Sequence, residues 1–98
     1  MELVAEDLQA FAVFAEHRNF TRAAEELHVS QPALHTRIRK LEQRLGTTLY
    51  VKHGRNLKLT DAGERLAAFA NETRDRTADF LRTLDATPPR PLVLIAGL

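Results

Sequence analysis

The sequence predicts a mainly α fold: three short helices, a two-stranded hairpin, then one long helix. Apolar residues recur at helical spacing over 4–16, 22–28, 30–46 and 61–85, each stretch bounded by capping or breaking residues. Between 47 and 59 the period shortens to alternation around a central Gly. Charge is also unevenly spread. The net charge is +1, yet residues 1–17 carry four acids and no Lys or Arg, whereas residues 18–58 carry nine Lys and Arg against three Glu. Residues 59–98 carry five Arg against six acids.

The first helix is expected from about Val4 to Glu16. Leu8, Phe11, Ala12 and Ala15 mark one face, widened by Val13 and Phe14, and His17-Arg18-Asn19 ends it. Thr21 is a suitable N-cap for a second helix, Arg22 to about His28, with Phe20 before it as a hydrophobic staple or core plug. Ala23, Ala24 and Leu27 allow close helix packing.

Only Val29 separates that helix from Ser30, whose hydroxyl can cap a third helix. Gln31-Pro32 suit its first turn, and Gly46 supplies a left-handed stop. Leu34, Ile38, Leu41 and Leu45 recur at steps of four, three and four along one face, leaving Pro32, Thr36, Arg39, Lys40 and Gln43 opposite. Two short helices joined so tightly, the second basic on its outer side, form a helix-turn-helix.

Thr47–Val51 and Asn56–Leu59 then read as a two-stranded wing with a basic tip at His53-Gly54-Arg55. The expected fold is therefore a winged helix-turn-helix, three helices plus wing, over residues 1–60. Thr60 can cap the long helix of residues 61–86, opened by Asp61 at the positive end of its dipole. Its stripe of Ala62, Leu66, Phe69, Ala70, Thr73, Thr77, Phe80, Leu81 and Leu84 exceeds what a small winged domain needs to cover itself. A long linker helix for dimerisation is the expected role. Residues 87–91, TPPRP, read as a stiff hinge, and residues 92–98 as the first strand of a second domain cut short.

Several function classes recede. There is no cysteine, so no disulfide or thiolate metal site. His17, His28, His35 and His53 are scattered without metal-ligand spacing, and no catalytic constellation is visible. No apolar run approaches membrane-spanning length and the acidic N-terminus is unlike a signal peptide, so a cytoplasmic protein is expected. Most of the six aromatics fall on expected buried faces, which argues against single-strand or RNA binding on stacking platforms. Duplex DNA binding through the basic region is the leading reading. A winged-helix interaction module meeting an acidic partner is the alternative.

The spaced residues Asp7-Leu8, Phe11, Ala15-Glu16, Phe20-Thr21, Ala23-Ala24, Leu27, Ser30-Gln31-Pro32-Ala33-Leu34, Ile38, Leu41-Glu42, Leu45-Gly46, Leu49-Tyr50, Arg55, Leu59-Thr60 and Ala62-Gly63 resemble the N-terminal DNA-binding domain of LysR-type transcriptional regulators. The resemblance implies linker helices paired antiparallel in a homodimer, tetramers at full length and a pseudo-palindromic duplex operator. It also implies a C-terminal domain binding a small-molecule effector, leaving no cofactor in the present chain. The family usually has Ser or Thr where His35 stands, often Arg at Thr36, and Arg at Lys52.

Candidate contacts follow from chemistry and position. Gln31 can bond an adenine edge, and Pro32 and the Thr36 methyl can meet a thymine methyl. His35 is either a donor to base or phosphate or a partly buried spacer. Arg37, Arg39, Lys40 and Arg44 include readers and phosphate neutralisers, with Arg39 the best-placed reader. Ser30 is foremost a cap whose hydroxyl can also reach DNA. By resemblance, Arg55 at the wing tip enters the minor groove, with Lys52, Asn56 and Lys58 on phosphates. Thr21 and Arg22 suit a backbone phosphate at a helix N-terminus.

Overall fold

The structure is a computed structural model describing residues 3–86; the expected hinge at 87–91 and strand at 92–98 lie outside them. The elements are α1 (Ala5–His17), α2 (Phe20–Leu27), α3 (Gln31–Leu45), β1 (Tyr50–His53), β2 (Asn56–Leu59) and α4 (Asp61–Ala86). Four helices and an antiparallel two-stranded wing make the expected winged helix-turn-helix with its long following helix.

The core forms where α1, α2 and α3 meet and the wing base and the first turns of α4 close over them. Phe11, Phe14, Ala23, Leu34, Ile38, Leu41 and Leu49 are its most enclosed members. In α1, residues Ala10 to Phe14 are all buried, because α2 and α3 lie on one side and α4 on another. Leu8, expected in that core, is only half-buried.

Helix ends follow local chemistry with one correction. Ser30 Oγ accepts from the Ala33 N–H at 3.2 Å, and Gly46 closes α3 at φ 70°. α2, however, starts two residues earlier than expected. Asn19 is its cap, accepting from the Arg22 N–H at 2.9 Å, so Thr21 lies inside the first turn. The earlier start turns Phe20 into the core, as a plug and not a staple. His28 ends α2 in the left-handed region (φ 59°), donating back to the carbonyls of Ala24 and Glu25.

Strand β1 begins at Tyr50, three residues later than expected, because the preceding groups are bonded elsewhere. The Thr47 N–H donates to the Glu42 carbonyl at 3.1 Å, and the Leu49 N–H to Glu42 Oε2 at 2.8 Å. The Thr48 carbonyl accepts from Thr60 Oγ1 at 2.6 Å. Tyr50 pairs with Leu59 and His53 with Asn56 across a two-residue turn, Gly54-Arg55, in which Gly54 has φ 66°. Thr60 caps α4 as expected, accepting from the Gly63 N–H at 3.1 Å. Gly63 is required by contact: a Cβ there would lie 2.1 Å from the Leu49 carbonyl oxygen.

Candidate nucleic-acid interface

α3 presents its polar side outward because its opposite side is anchored. Leu34, Ile38 and Leu41 are each 1 % exposed, and at about 100° per residue Pro32, Thr36, Arg39 and Gln43 must then point away from the core. All four are exposed, as are Gln31, Lys40 and Ser30. The result is a polar and cationic ridge beside a rigid base.

Two of the helix's four cations are not on that ridge. Asp7 of α1 is buried, its side chain 12 % exposed, and its Oδ2 accepts from Arg44 Nη1 at 2.7 Å. Arg37 Nη1 stands 3.5 Å from Asp7 Oδ1. Arg37 and Arg44 are thus turned toward α1, whereas Arg39 and Lys40 are exposed without such a partner. This inter-helix clamp is not written in the sequence, where Asp7 stands out only as part of the family resemblance.

His35 packs partly inward, with both readings of its role left open. Its ring stacks on Phe20, centroids 3.6 Å apart and planes 15° off parallel, within a cluster that includes Phe14 and Tyr50. It remains partly exposed at the flank of the ridge. Burial, aided by the positive charges of Arg39 and Lys52, lowers its pKa from the usual value, so the neutral ring is favoured. Tyr50 is pushed the other way, by burial and then by Glu42, against an opposing pull from Arg39.

The wing carries Lys52, Arg55, Asn56 and Lys58, all exposed, with Arg55 in the turn. Thr21 and Arg22 are exposed in the first turn of α2. Glu42 was not singled out by sequence reasoning, yet its side-chain bond to the Leu49 N–H fixes the wing's approach to α3. Its only sequence signal is its place in the resemblance.

Along α4 the expected partner stripe divides. Ala70 is buried and Leu66 half-buried against the core, so both face their own domain. Phe69, Phe80, Leu81 and Leu84 are 50–60 % exposed. Thr73 is half-buried and Thr77 exposed; with Ala5, Leu8, Ala70, Ala78 and Leu81 they line a largely apolar groove of about 470 Å³ between α1 and α4. The contribution of α1 was not foreseen. Phe69 and Phe80 are also the exposed exceptions to the expectation that aromatics are buried, and both lie on α4, off the basic ridge.

Among the described residues, Glu16, His17 and Glu26 bring ligand atoms within 4.8 Å of one another, a grouping that could hold a metal ion. His17 Nε2 already lies 2.7 Å from Glu26 Oε1, and both carboxylates are exposed. No described helix is long and apolar enough to cross a membrane.

A helix-turn-helix with a cationic outer ridge and a basic wing defines the winged-helix class of DNA-binding domains. Comparison with known proteins narrows the class. Residues 5–64 match the family described as bacterial regulatory helix-turn-helix protein, lysR family. The chain is 41 % identical over 83 residues to the HTH-type transcriptional activator IlvY of Salmonella typhimurium, which covers 85 % of the chain and 28 % of that protein. Among solved structures, an OxyR mutant from Corynebacterium glutamicum superposes with TM-score 0.77 and 32 % identity, covering 91 % of this chain and 29 % of that one. A complex of the BenM DNA-binding domain with benA site 1 DNA gives 0.76 and 26 %, covering 85 % and 96 %. The chain belongs to the LysR family and carries its DNA-binding domain. It spans 22–28 % of the length of the curated regulators it matches.

Proposed function

We propose that this chain binds specific duplex DNA sequences as a homodimer, each α3 entering a major groove and each wing lying beside it. The observation that carries the reading is the anchored ridge of α3: residues able to read base edges project from a helix whose other face is locked in the core. Gln31, Pro32, Thr36 and Arg39 are the readers; Ser30, His35 and Lys40 flank them. Thr21, Arg22, Lys52, Arg55, Asn56 and Lys58 hold the backbone and adjacent minor groove. The exposed apolar end of α4, with the groove it shares with α1, supplies the dimer contact through Phe69, Thr73, Thr77, Phe80, Leu81 and Leu84. Two half-sites related by a dyad follow from that pairing.

By family resemblance, the full protein adds a small-molecule effector domain and assembles as a tetramer; the relatives' greater length leaves room for such a domain. Its action on cellular DNA puts it in the cytoplasm. The protein acts by binding, and no catalytic step is assigned to it.

Salt titration tests the core of this reading. Duplex affinity should fall with a log–log slope of about −0.9 per phosphate neutralised; an affinity flat from low to moderate salt would overturn it. Binding-site selection tests the readers. Thr36→Ala should change the preferred base at one position, whereas Lys58→Ala should weaken all sequences alike. Identical selected motifs for wild type and Thr36→Ala would remove Thr36 from the reading set.

A further inference from the structure

We infer that Asp7 is a specificity-determining positioning residue: it holds Arg37 and Arg44 away from the duplex and so narrows the cationic face that DNA meets. The inference rests on the DNA-binding reading above and adds to it a residue on the opposite side of the recognition helix from the wing.

Three observations support it. The carboxylate is enclosed, with its side chain 12 % exposed, yet its two oxygens face one arginine each, Arg44 at 2.7 Å and Arg37 at 3.5 Å. Both arginines sit on α3, the helix that carries the readers, at the edge where α3 meets α1. Their own side chains are 40 % and 48 % exposed, so solvent, and a nearby phosphate, can reach them if the carboxylate lets go.

Charge counting makes the consequence specific. A phosphate contact adds affinity for every sequence equally, whereas base contacts discriminate. Four cations on α3, all available to phosphates, would raise binding to any duplex. With Arg37 and Arg44 paired to Asp7, only Arg39 and Lys40 of that helix meet DNA freely. Sequence-independent attraction is then held down while the readers on the ridge are unaffected. Asp7 acts through the arginines and touches no nucleic acid itself.

The test is a salt titration of Asp7→Asn on a random-sequence duplex, beside Glu6→Gln. The latter removes one charge from an exposed neighbour on the same helix that holds no arginine. The proposal expects the log–log salt slope of Asp7→Asn to steepen by about one to two, at about 0.9 per new phosphate contact. Glu6→Gln should keep the wild-type slope, and the triple variant Asp7→Asn, Arg37→Gln, Arg44→Gln should return to it. Binding-site selection with Asp7→Asn should also give a less discriminating motif. An Asp7→Asn slope equal to that of Glu6→Gln overturns the proposal and leaves Asp7 a packing ion pair. If circular dichroism finds Asp7→Asn unfolded, Arg37→Gln with Arg44→Gln decides: an unchanged slope supports the proposal, and a loss of about one to two overturns it. A wild-type protein whose affinity ignores salt would instead overturn the DNA-binding reading, taking this one with it.

Discussion

α3 and α4 are built alike and finish differently. Each opens on a hydroxyl cap, Ser30 or Thr60, and each carries an apolar stripe at three- and four-residue steps. The stripe of α3 disappears into its own domain, with Leu34, Ile38 and Leu41 each 1 % exposed. That of α4 splits, with Ala67 and Ala70 buried but Phe80, Leu81 and Leu84 more than half exposed. Reach explains the difference. α1, the helix alongside, has 13 residues and extends for about 20 Å at 1.5 Å per residue, while α4 with 26 extends for about 39 Å. A stripe's periodicity identifies the face that must be covered and leaves open what covers it.

The strongest way to break this contrast is to place charge on both stripes. Phe80→Glu with Leu84→Glu should leave the circular dichroism of the winged domain intact while halving the mass in light scattering and sharply weakening operator binding. Leu41→Glu on α3 should instead abolish folding, because an unpaired carboxylate would be buried. An unchanged mass for the α4 variant would defeat dimerisation through that helix. Leu66 is a poorer target than its place in the stripe suggests, since it also packs on the core.

Gly63 at the start of α4 sharpens the comparison on a smaller scale. In an ordinary helix, Gly→Ala stabilises by about 0.5–1 kcal/mol. Here the added methyl meets the Leu49 carbonyl, so Gly63→Ala should destabilise by about 1–3 kcal/mol in urea unfolding. A gain in stability would show that the wing base and α4 separate more easily than the packing implies.

The cap of α2 comes next. Asn19→Ala should cost about 0.5–2 kcal/mol, and Thr21→Ala less than about 0.5 kcal/mol, reversing the order that the sequence suggests. Equal losses in thermal or urea unfolding would return Thr21 to the capping role.

The smallest effect concerns His35. Its folded pKa lies below the unfolded value of 6.5, so between the two the unfolded chain binds more protons and stability rises with pH. The contribution is complete above about pH 6.5 and is lost as pH falls through the folded value. His35→Gln should flatten that part of the Tm-versus-pH curve; an identical curve would place the dependence on other groups.

Much of the molecule was legible from local patterns. Ser30, Gly46 and Thr60 act through neighbours three or four residues away, and the stripe from Leu34 to Leu41 needs only helical geometry to define an inner face. Asn19 is passed over in favour of Thr21 because both residues, one on either side of Phe20, could cap α2, and the choice depends on whether Phe20 reaches the core. Thr47 to Leu49 were assigned to a strand because their hydrogen bonds to Glu42 and Thr60 are not written in their own alternation.

What the sequence determined alone was the order of elements, the face each must bury and the concentration of positive charge between residues 18 and 58. The tertiary structure decided which of those charges remain available and which half of α4 stays uncovered. The reason is distance along the chain. Asp7 and Arg44 are 37 positions apart, and no local period can tell that one will neutralise the other. Only the packing of α1 against α3 and α4 brings such groups together, and that packing separates the exposed pair Arg39 and Lys40 from the held pair Arg37 and Arg44.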